Sequence, residues 1–167
     1  MWVALAQVLA CVGSVIFTTL HEVPSQIIDY GQRALLQVPS ELAHIACGGL
    51  ALAAGIWGNN QLFYFTHVYA PAMFIKATLL PLTILPDSNP ECTSWHPLKC
   101  LTRNDMLPSG HMIAACCASL CFDSDLARAA AVLSGLLLVS SKMHYSVDVI
   151  LSAWIVRLLF LLTLKTT

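Results

Sequence analysis

The chain has 167 residues, of which 57% are hydrophobic and 10% are charged, with a formal net charge of −1 at pH 7. A soluble domain carries about 25% charged residues, so this chain has too few charges to cover a surface that faces water. The near-neutral charge argues against nucleic-acid binding and against a polybasic membrane anchor. We therefore interpret residues 1–167 as a single integral membrane domain.

Six apolar stretches follow one another along the chain. They are Trp2–Leu20, Ala43–Trp57, Gln61–Leu85, Leu107–Phe122, Leu126–Ser141 and Tyr145–Leu164. A membrane-spanning helix needs about 20 residues, so the shorter stretches must include flanking polar residues or thin the bilayer. Because lipid offers no hydrogen bonds to the backbone, the stretches predict an all-α, polytopic membrane helical bundle of about six transmembrane helices. Four or five spans are the alternatives.

The first stretch is either an uncleaved span or a cleaved signal peptide. The chain has no Lys or Arg before Arg33, and no clear cleavage site follows the stretch, which favours the uncleaved span. The positive-inside rule mildly opposes an arrangement in which the N-terminus is cytosolic. Charge alone therefore leaves the sidedness of the bundle open.

Two long polar segments separate the apolar stretches. The middle of the first, Ile27–Val38, is typical of an interfacial helix, and the second, Pro86–Met106, is long enough to form a lid or mouth. In a six-span chain both segments lie on one side of the membrane. His111 opens the fourth stretch and His144 opens the sixth on that same side, so the two histidines are expected to meet.

A carboxylate and two histidines carry the chemistry that we expect. On a helix, His144 and Asp148 would share a face, and Asp148 would hold one ring nitrogen and leave the other basic. His111 follows Ser109-Gly110 at a helix start, where backbone amides and the helix dipole favour an anion. A lone histidine near a span end is more often an interfacial polar residue, but an intramembrane carboxylate needs a partner. The combination indicates attack on a phosphorus atom.

These two elements resemble the signature of a known superfamily. The runs Asp105-Met-Leu-Pro-Ser109-Gly110-His111 and His144-Tyr-Ser-Val-Asp148-Val149 look like those of the type 2 phosphatidic acid phosphatases. The closer match is to the sphingolipid-synthase branch, which comprises sphingomyelin synthases and inositol phosphorylceramide synthases. Ile75–Pro86 is similar to the third span of that branch, and the resemblance covers residues 75–157.

The resemblance implies a transferase that moves a phospho-head group, such as phosphocholine, from a glycerophospholipid to ceramide or another lipid alcohol. His144 would be the nucleophile that forms a phosphohistidine, and Asp148 would orient it. His111 would act as general acid and then as general base. Ser109 and Gly110 would hold the phosphoryl oxygens.

The resemblance also implies partners and a location. The partners would be membrane lipids, namely a phospholipid donor and ceramide or diacylglycerol, with no cofactor and no metal. In a eukaryote the protein would be a multi-pass protein of the Golgi, the endoplasmic reticulum or the plasma membrane.

Departures from the superfamily pattern bear on the reaction. The chain lacks the K-x6-R-P element of the phosphatases and has Leu138 where they carry an arginine. Those arginines clamp a dianionic phosphomonoester, so their absence favours transfer of a phosphodiester head group. Arg103-Asn104 replaces the Cys-Gly of the sphingolipid-synthase branch, which leaves the substrate open. A lipid phosphate phosphatase and a non-catalytic lipid-binding protein are the alternatives.

Charged and sulfur-containing residues beside the motifs complete the list of candidates. Asp105 and Lys142 are candidate substrate-binding residues that are expected to shape the mouth rather than do chemistry. Lys76 would snorkel, pair with a carboxylate or face the substrate cavity, and we favour the last. Cys92 and Cys100 would pair if their side is oxidising. The other cysteines are expected to be small apolar packing residues.

Overall fold

The computed structural model describes residues 28–79 and 108–165. All regular structure in this part of the chain is helical, so the all-α prediction is confirmed there. The helices are α1 (Tyr30–Ala34), α2 (Ser40–Trp57), α3 (Gln61–Tyr64, a π-helical turn Phe65–Tyr69 and Ala70–Leu79 in succession), α4 (Gly110–Leu120), α5 (Asp125–Ser140) and α6 (Ser146–Leu164).

Some predictions fall outside the described residues. These are the span or signal peptide over Trp2–Leu20, the mouth segment Pro86–Met106, the substrate-binding role of Asp105 and the pairing of Cys92 with Cys100.

The predicted stretches correspond to α2–α6, with shifted ends. α2 begins three residues before the predicted Ala43, and α4 is shorter than the predicted Leu107–Phe122. The ends of α5 and α6 differ from the prediction by at most one residue. Only α2 and α6, among the described helices, have the length and apolarity of a membrane span, so multi-pass insertion stays a prediction.

The segment before α2 forms a helix of only five residues, although the sequence predicts an interfacial helix within Ile27–Val38. Asp29 starts this helix, because its carboxylate accepts hydrogen bonds from the amides of Gly31 and Gln32, as an N-cap does. Leu35 has extended dihedrals, so α1 ends there and the chain continues to α2.

The turn between α2 and α3 packs against the turn between α4 and α5. The Asn59 amide donates to the Cys121 carbonyl at 2.7 Å. A Cβ on Gly58 would lie 2.5 Å from the Ala54 oxygen and 2.7 Å from Cys121 Cβ. Glycine is therefore required at this close approach, which joins the two hairpins at one end of the bundle.

Helix α5 ends in a Schellman motif. The Lys142 amide donates to the Val139 carbonyl at 3.0 Å, and the Met143 amide donates to the Leu138 carbonyl at 3.1 Å. Lys142 has a left-handed φ of 53°. This turn reverses the chain within a few residues and delivers His144 to the start of α6.

Helix α4 lies at the centre of the described bundle and packs against α2, α3, α5 and α6. One apolar cluster, around Met112 and Leu138, joins α4 to α2, α5 and α6. A second, around Ile113 and Val156, joins α4 to α3 and α6. Cys47 and Cys117 are buried free thiols within these clusters, as expected for small packing residues. The start of α4 is thereby fixed relative to every neighbouring helix.

Large apolar side chains cover the outside of the helices. On α6, Ile150, Trp154 and Leu158 follow at four-residue spacing and are 58%, 68% and 58% exposed. Large contiguous apolar surface of this kind is rare on monomeric soluble proteins. Only 17% of the most apolar window of α2 and 22% of that of α6 is buried, whereas the core helix of a soluble protein is mostly buried. The described part of the chain thus has two candidate membrane-spanning helices.

Candidate active site

His144 lies in the link before α6, which corrects the prediction that it shares a helix face with Asp148. Tyr145 has extended dihedrals (φ −70°, ψ 153°) and α6 begins at Ser146. The physical reason is the left-handed turn at Lys142, since the chain must pass through an extended residue before a new helix can begin. The spacing argument therefore assigned His144 to a helix that begins two residues later.

His144 and Asp148 nevertheless come together, through the capping of α6. The Asp148 carboxylate turns back to accept the Tyr145 amide at 3.1 Å, and its Oδ2 lies 3.6 Å from Nδ1 of His144. Asp148 is 0% exposed and His144 is 6% exposed. The carboxylate thus faces one nitrogen of a buried imidazole.

The two predicted histidines meet at one end of the bundle. The His111 ring, in the first turn of α4, has its centroid 5.8 Å from that of His144. A third ring, that of His44 in the first turns of α2, lies edge-on to His111 with the centroids 5.0 Å apart. The sequence argument missed His44, because the spacing of residues along one chain does not reveal which helix starts are neighbours.

Ser109 and Gly110 form the start of α4. The Ser109 hydroxyl accepts the Met112 amide at 3.2 Å, and the Ser109 carbonyl accepts the Ile113 amide. Ser109 is therefore a buried N-cap. The first amides of a helix lack intrahelical acceptors, so the amides of Gly110 and His111 are the ones that suit an anion here.

Ser152 fixes α6 against the start of α4. Its hydroxyl lies 2.6 Å from the Asp148 carbonyl and 3.1 Å from the Ser109 carbonyl, so one proton is shared between an oxygen of its own helix and one of the α4 N-cap. Ser152 is fully buried. This contact joins the element that carries His111 to the element that carries Asp148.

Lys76 is buried near the end of α3 and points to the start of α4. Its Nζ donates to the Pro108 carbonyl at 2.8 Å. A Cβ added to Gly110 would lie 3.7 Å from Lys76 Cε, so the lysine passes beside the first turn of α4. The contact places Lys76 beside the predicted site, and its role in binding the substrate stays a prediction.

Lys142 lies two residues before His144 in the turn that ends α5, and it is half-buried. Asp105, the other candidate that flanks a motif, lies outside the described residues. Whether Lys142 contacts a substrate stays a prediction.

Two further polar residues that the sequence argument missed hold the link that carries His144. Asp29 accepts hydrogen bonds from the amide and hydroxyl of Ser146, and the Gln32 side chain donates to the His144 carbonyl at 3.0 Å. Burial raises the pKa of Asp29, but the hydrogen bonds from Ser146, Gln32 and Gly31 outweigh it and hold the pKa below the ordinary value of 3.8. Asp29 is therefore a carboxylate at neutral pH.

Two clefts lie at opposite ends of the described bundle. The smaller, about 290 Å³, is lined by residues 28–31 and 145–147 beside the histidines. The larger, about 720 Å³, lies at the other end, next to Gly58 and His67. Among the residues that the structure describes, no group of three or more His, Cys, Asp or Glu side chains is arranged to hold a metal ion.

In residues 28–79 and 108–165 the fold is all-helical, with two candidate membrane-spanning helices and a histidine pair beside a buried carboxylate. Comparisons with protein-family models, with curated proteins and with solved structures find no match for this chain. The resemblance to the sphingolipid-synthase branch therefore depends on the motif residues alone.

Proposed function

We propose that this chain is an integral membrane phosphotransferase, which moves a phospho-head group from a glycerophospholipid to ceramide or another lipid alcohol through a phosphohistidine. One observation carries the proposal. The ring centroids of His111 and His144 lie 5.8 Å apart, with Asp148 Oδ2 3.6 Å from Nδ1 of His144.

The separation of the rings suits a phosphoryl group held between them. A nucleophile and its target are about 3–3.5 Å apart before attack, and a general acid lies about 2.6–3.2 Å from the oxygen that it protonates. Two rings 5.8 Å apart allow one to face the phosphorus while the other faces the leaving oxygen.

In the first half-reaction, Nε2 of His144, the nitrogen not turned to Asp148, attacks the phosphorus of the donor lipid. A nitrogen–phosphorus bond forms and the bond from phosphorus to the diacylglycerol oxygen breaks. His111 donates a proton to that oxygen, and the Asp148 carboxylate stabilises the positive charge on His144. The amides of Gly110 and His111 offer hydrogen bonds to the phosphoryl oxygens.

In the second half-reaction, the hydroxyl of the acceptor lipid attacks the phosphohistidine. His111, now neutral, takes the hydroxyl proton, a new oxygen–phosphorus bond forms, and the nitrogen–phosphorus bond breaks. Both histidines return to their starting protonation states, so the cycle consumes no further reactant.

Two features support transfer over hydrolysis of a phosphomonoester. Leu138, at the position where the phosphatases of the superfamily carry an arginine, is fully buried in the apolar cluster around Met112. Lys76 and Lys142 are the buried or half-buried basic side chains at this end of the described bundle, where Arg33 is exposed. A monoanionic phosphodiester needs less charge than a dianionic phosphomonoester.

The membrane setting is supported by the outer surface of α2 and α6, which is apolar and largely exposed. Such surface is stable against lipid, and the substrates proposed here are themselves lipids. In a eukaryotic cell, the Golgi, the endoplasmic reticulum and the plasma membrane hold both substrates.

The direct test is His144→Gln in membranes supplied with labelled ceramide and phosphatidylcholine. Glutamine is chosen because His144 is buried and the amide keeps volume and polarity. We expect the wild type to form a labelled phospholipid-headed product and an acid-labile phosphoenzyme, and the variant to lose turnover on the order of 10⁴-fold or more. His67→Gln, an exposed histidine at the other end of the bundle, is the matched control.

A second arm of this test isolates the acid. His111→Gln should slow formation of the phosphoenzyme from a phospholipid by about 10²–10⁴-fold, but much less from p-nitrophenyl phosphocholine, whose leaving group needs no proton. Full turnover by His144→Gln would refute the assignment of His144 as the nucleophile. Release of inorganic phosphate from phosphatidic acid, with no transfer product, supports the phosphatase alternative instead.

A further inference from the structure

We propose that α1 is a positioning clamp for the nucleophile, in which Asp29 and Gln32 fix the main chain around His144. The inference rests on the proposed function, because it assigns these residues a role in the attack by His144. Neither residue touches the reacting atoms in this role, and both act through the backbone of the link between α5 and α6.

Asp29 caps two helices with one carboxylate. Its Oδ1 accepts the Gly31 amide at 2.7 Å, which starts α1, and also the Ser146 hydroxyl at 2.6 Å. Its Oδ2 accepts the Ser146 amide. A negative charge at a helix N-terminus is favoured by the helix dipole, so Asp29 stabilises the start of α6 from 117 residues away in sequence.

Gln32 and Val38 hold the rest of the link. The Gln32 side chain donates to the His144 carbonyl at 3.0 Å, and the Val38 amide donates to the Ser140 carbonyl at 3.3 Å. The end of α5 is thus bound by Val38, which follows α1, and the link is bound by Gln32 at His144 and by Asp29 at Ser146.

Close packing supports the same role. A Cβ on Gly31 would lie 2.9 Å from both Cβ and Oγ of Ser146, a distance that forces the backbone to shift. The glycine allows α1 to approach α6 closely enough for Asp29 to reach the Ser146 amide.

The clamp matters because His144 lies outside the helix. Its amide donates to the Leu138 carbonyl of α5 at 3.3 Å, and its carbonyl accepts the Gln32 side chain at 3.0 Å, so a residue of α1 takes a direct part in fixing the main chain of His144. A displacement of about 1 Å in a catalytic group is enough to cost on the order of 10²-fold in rate. The contacts of Gln32 with His144 and of Asp29 with Ser146 add to the restraint on this main chain.

The test measures the single-turnover rate of phosphohistidine formation in Asp29→Asn, Gln32→Met and Ser146→Ala. We expect the rate and kcat to fall by about 10–100-fold for Asp29→Asn and by less for the other two, while KM for the donor lipid changes less than about twofold. Ser146→Thr, which keeps the hydroxyl, should restore the rate. Asp125→Asn is the control, since Asp125 is also at a helix start but is exposed and paired with Arg128.

Thermal unfolding in detergent checks that each variant is folded. Should Asp29→Asn fail to fold, Gly31→Ala tests the same contact, because it wedges α1 away from Ser146 and leaves the Asp29 and Gln32 side chains in place. Wild-type rates in folded variants, or losses confined to KM, overturn the clamp. A wild type that forms no phosphoenzyme overturns the proposed function itself, so the two failures are distinguishable.

Discussion

Lys142 occupies a backbone position that suits glycine. It lies at the left-handed residue of a Schellman motif with φ 53°, a conformation that costs a residue with a Cβ roughly 1–2 kcal/mol. Glycine avoids that cost but loses more entropy on folding. We therefore expect Lys142→Gly to raise the free energy of unfolding by about 0.5–1 kcal/mol, measured by denaturant unfolding in detergent.

The matched variant Lys142→Ala separates the backbone from the side chain. Alanine keeps the strained conformation but removes the ammonium group, so its unfolding free energy should stay below that of Lys142→Gly. If the ammonium group of Lys142 binds the phospholipid head group, Lys142→Gly and Lys142→Ala should raise KM for the donor lipid by similar factors. Equal stability of the two variants would contradict the argument from backbone strain.

The helices illustrate how far sequence reasoning reaches. Apolar periodicity and length predicted α5 and α6 to within a residue at each end, because the polar turns that bound them are local signals. The prediction that His144 lies on α6 was wrong, because the left-handed turn before it is formed by Lys142 and no glycine marks that turn in the sequence. Asp29 was missed as a partner because its contact with Ser146 spans 117 residues, and a single sequence carries no record of such contacts.

The element scale also gives a test of how the two hairpins meet. Gly58→Ala should destabilise the fold by about 1–3 kcal/mol, because the new Cβ would lie 2.5 Å from the Ala54 oxygen and press on Cys121. Gly49→Ala is the control within α2, since nothing lies within 4 Å of its Cβ position. There the better helix former should stabilise by about 0.5–1 kcal/mol. The unfolding temperatures of both variants measure this difference. Equal shifts relative to the wild type would refute the close approach at Gly58.

At the scale of the whole molecule, the described helices alternate in direction between two ends. α2, α4 and α6 begin at the end that holds the histidines, and α3 and α5 return to it, as the contacts of Lys76 with Pro108 and of Val38 with Ser140 require. The turn that contains Asn59 lies against Cys121 at the other end. The starts of α4 and α6 thus face each other at one end and bring His111 and His144 together there.

Membrane insertion of this arrangement predicts opposite sidedness for its two ends. An N-glycosylation acceptor in a flexible Gly/Ser linker, inserted after Asn59 in one variant and after Lys142 in another, should be modified in only one of the two when the chain is made with microsomes. The two insertion sites lie at opposite ends of the same bundle, so alternating spans separate them by the bilayer. Helix α4 has 11 residues and is only about 16 Å long, whereas the hydrocarbon core of a bilayer is about 30 Å thick. We therefore expect the bilayer to be thinned around α4, or the start of α4 to lie below the membrane surface. Modification of both acceptors would mean that both ends face one compartment, and the proposal of a multi-pass lipid transferase would then be wrong.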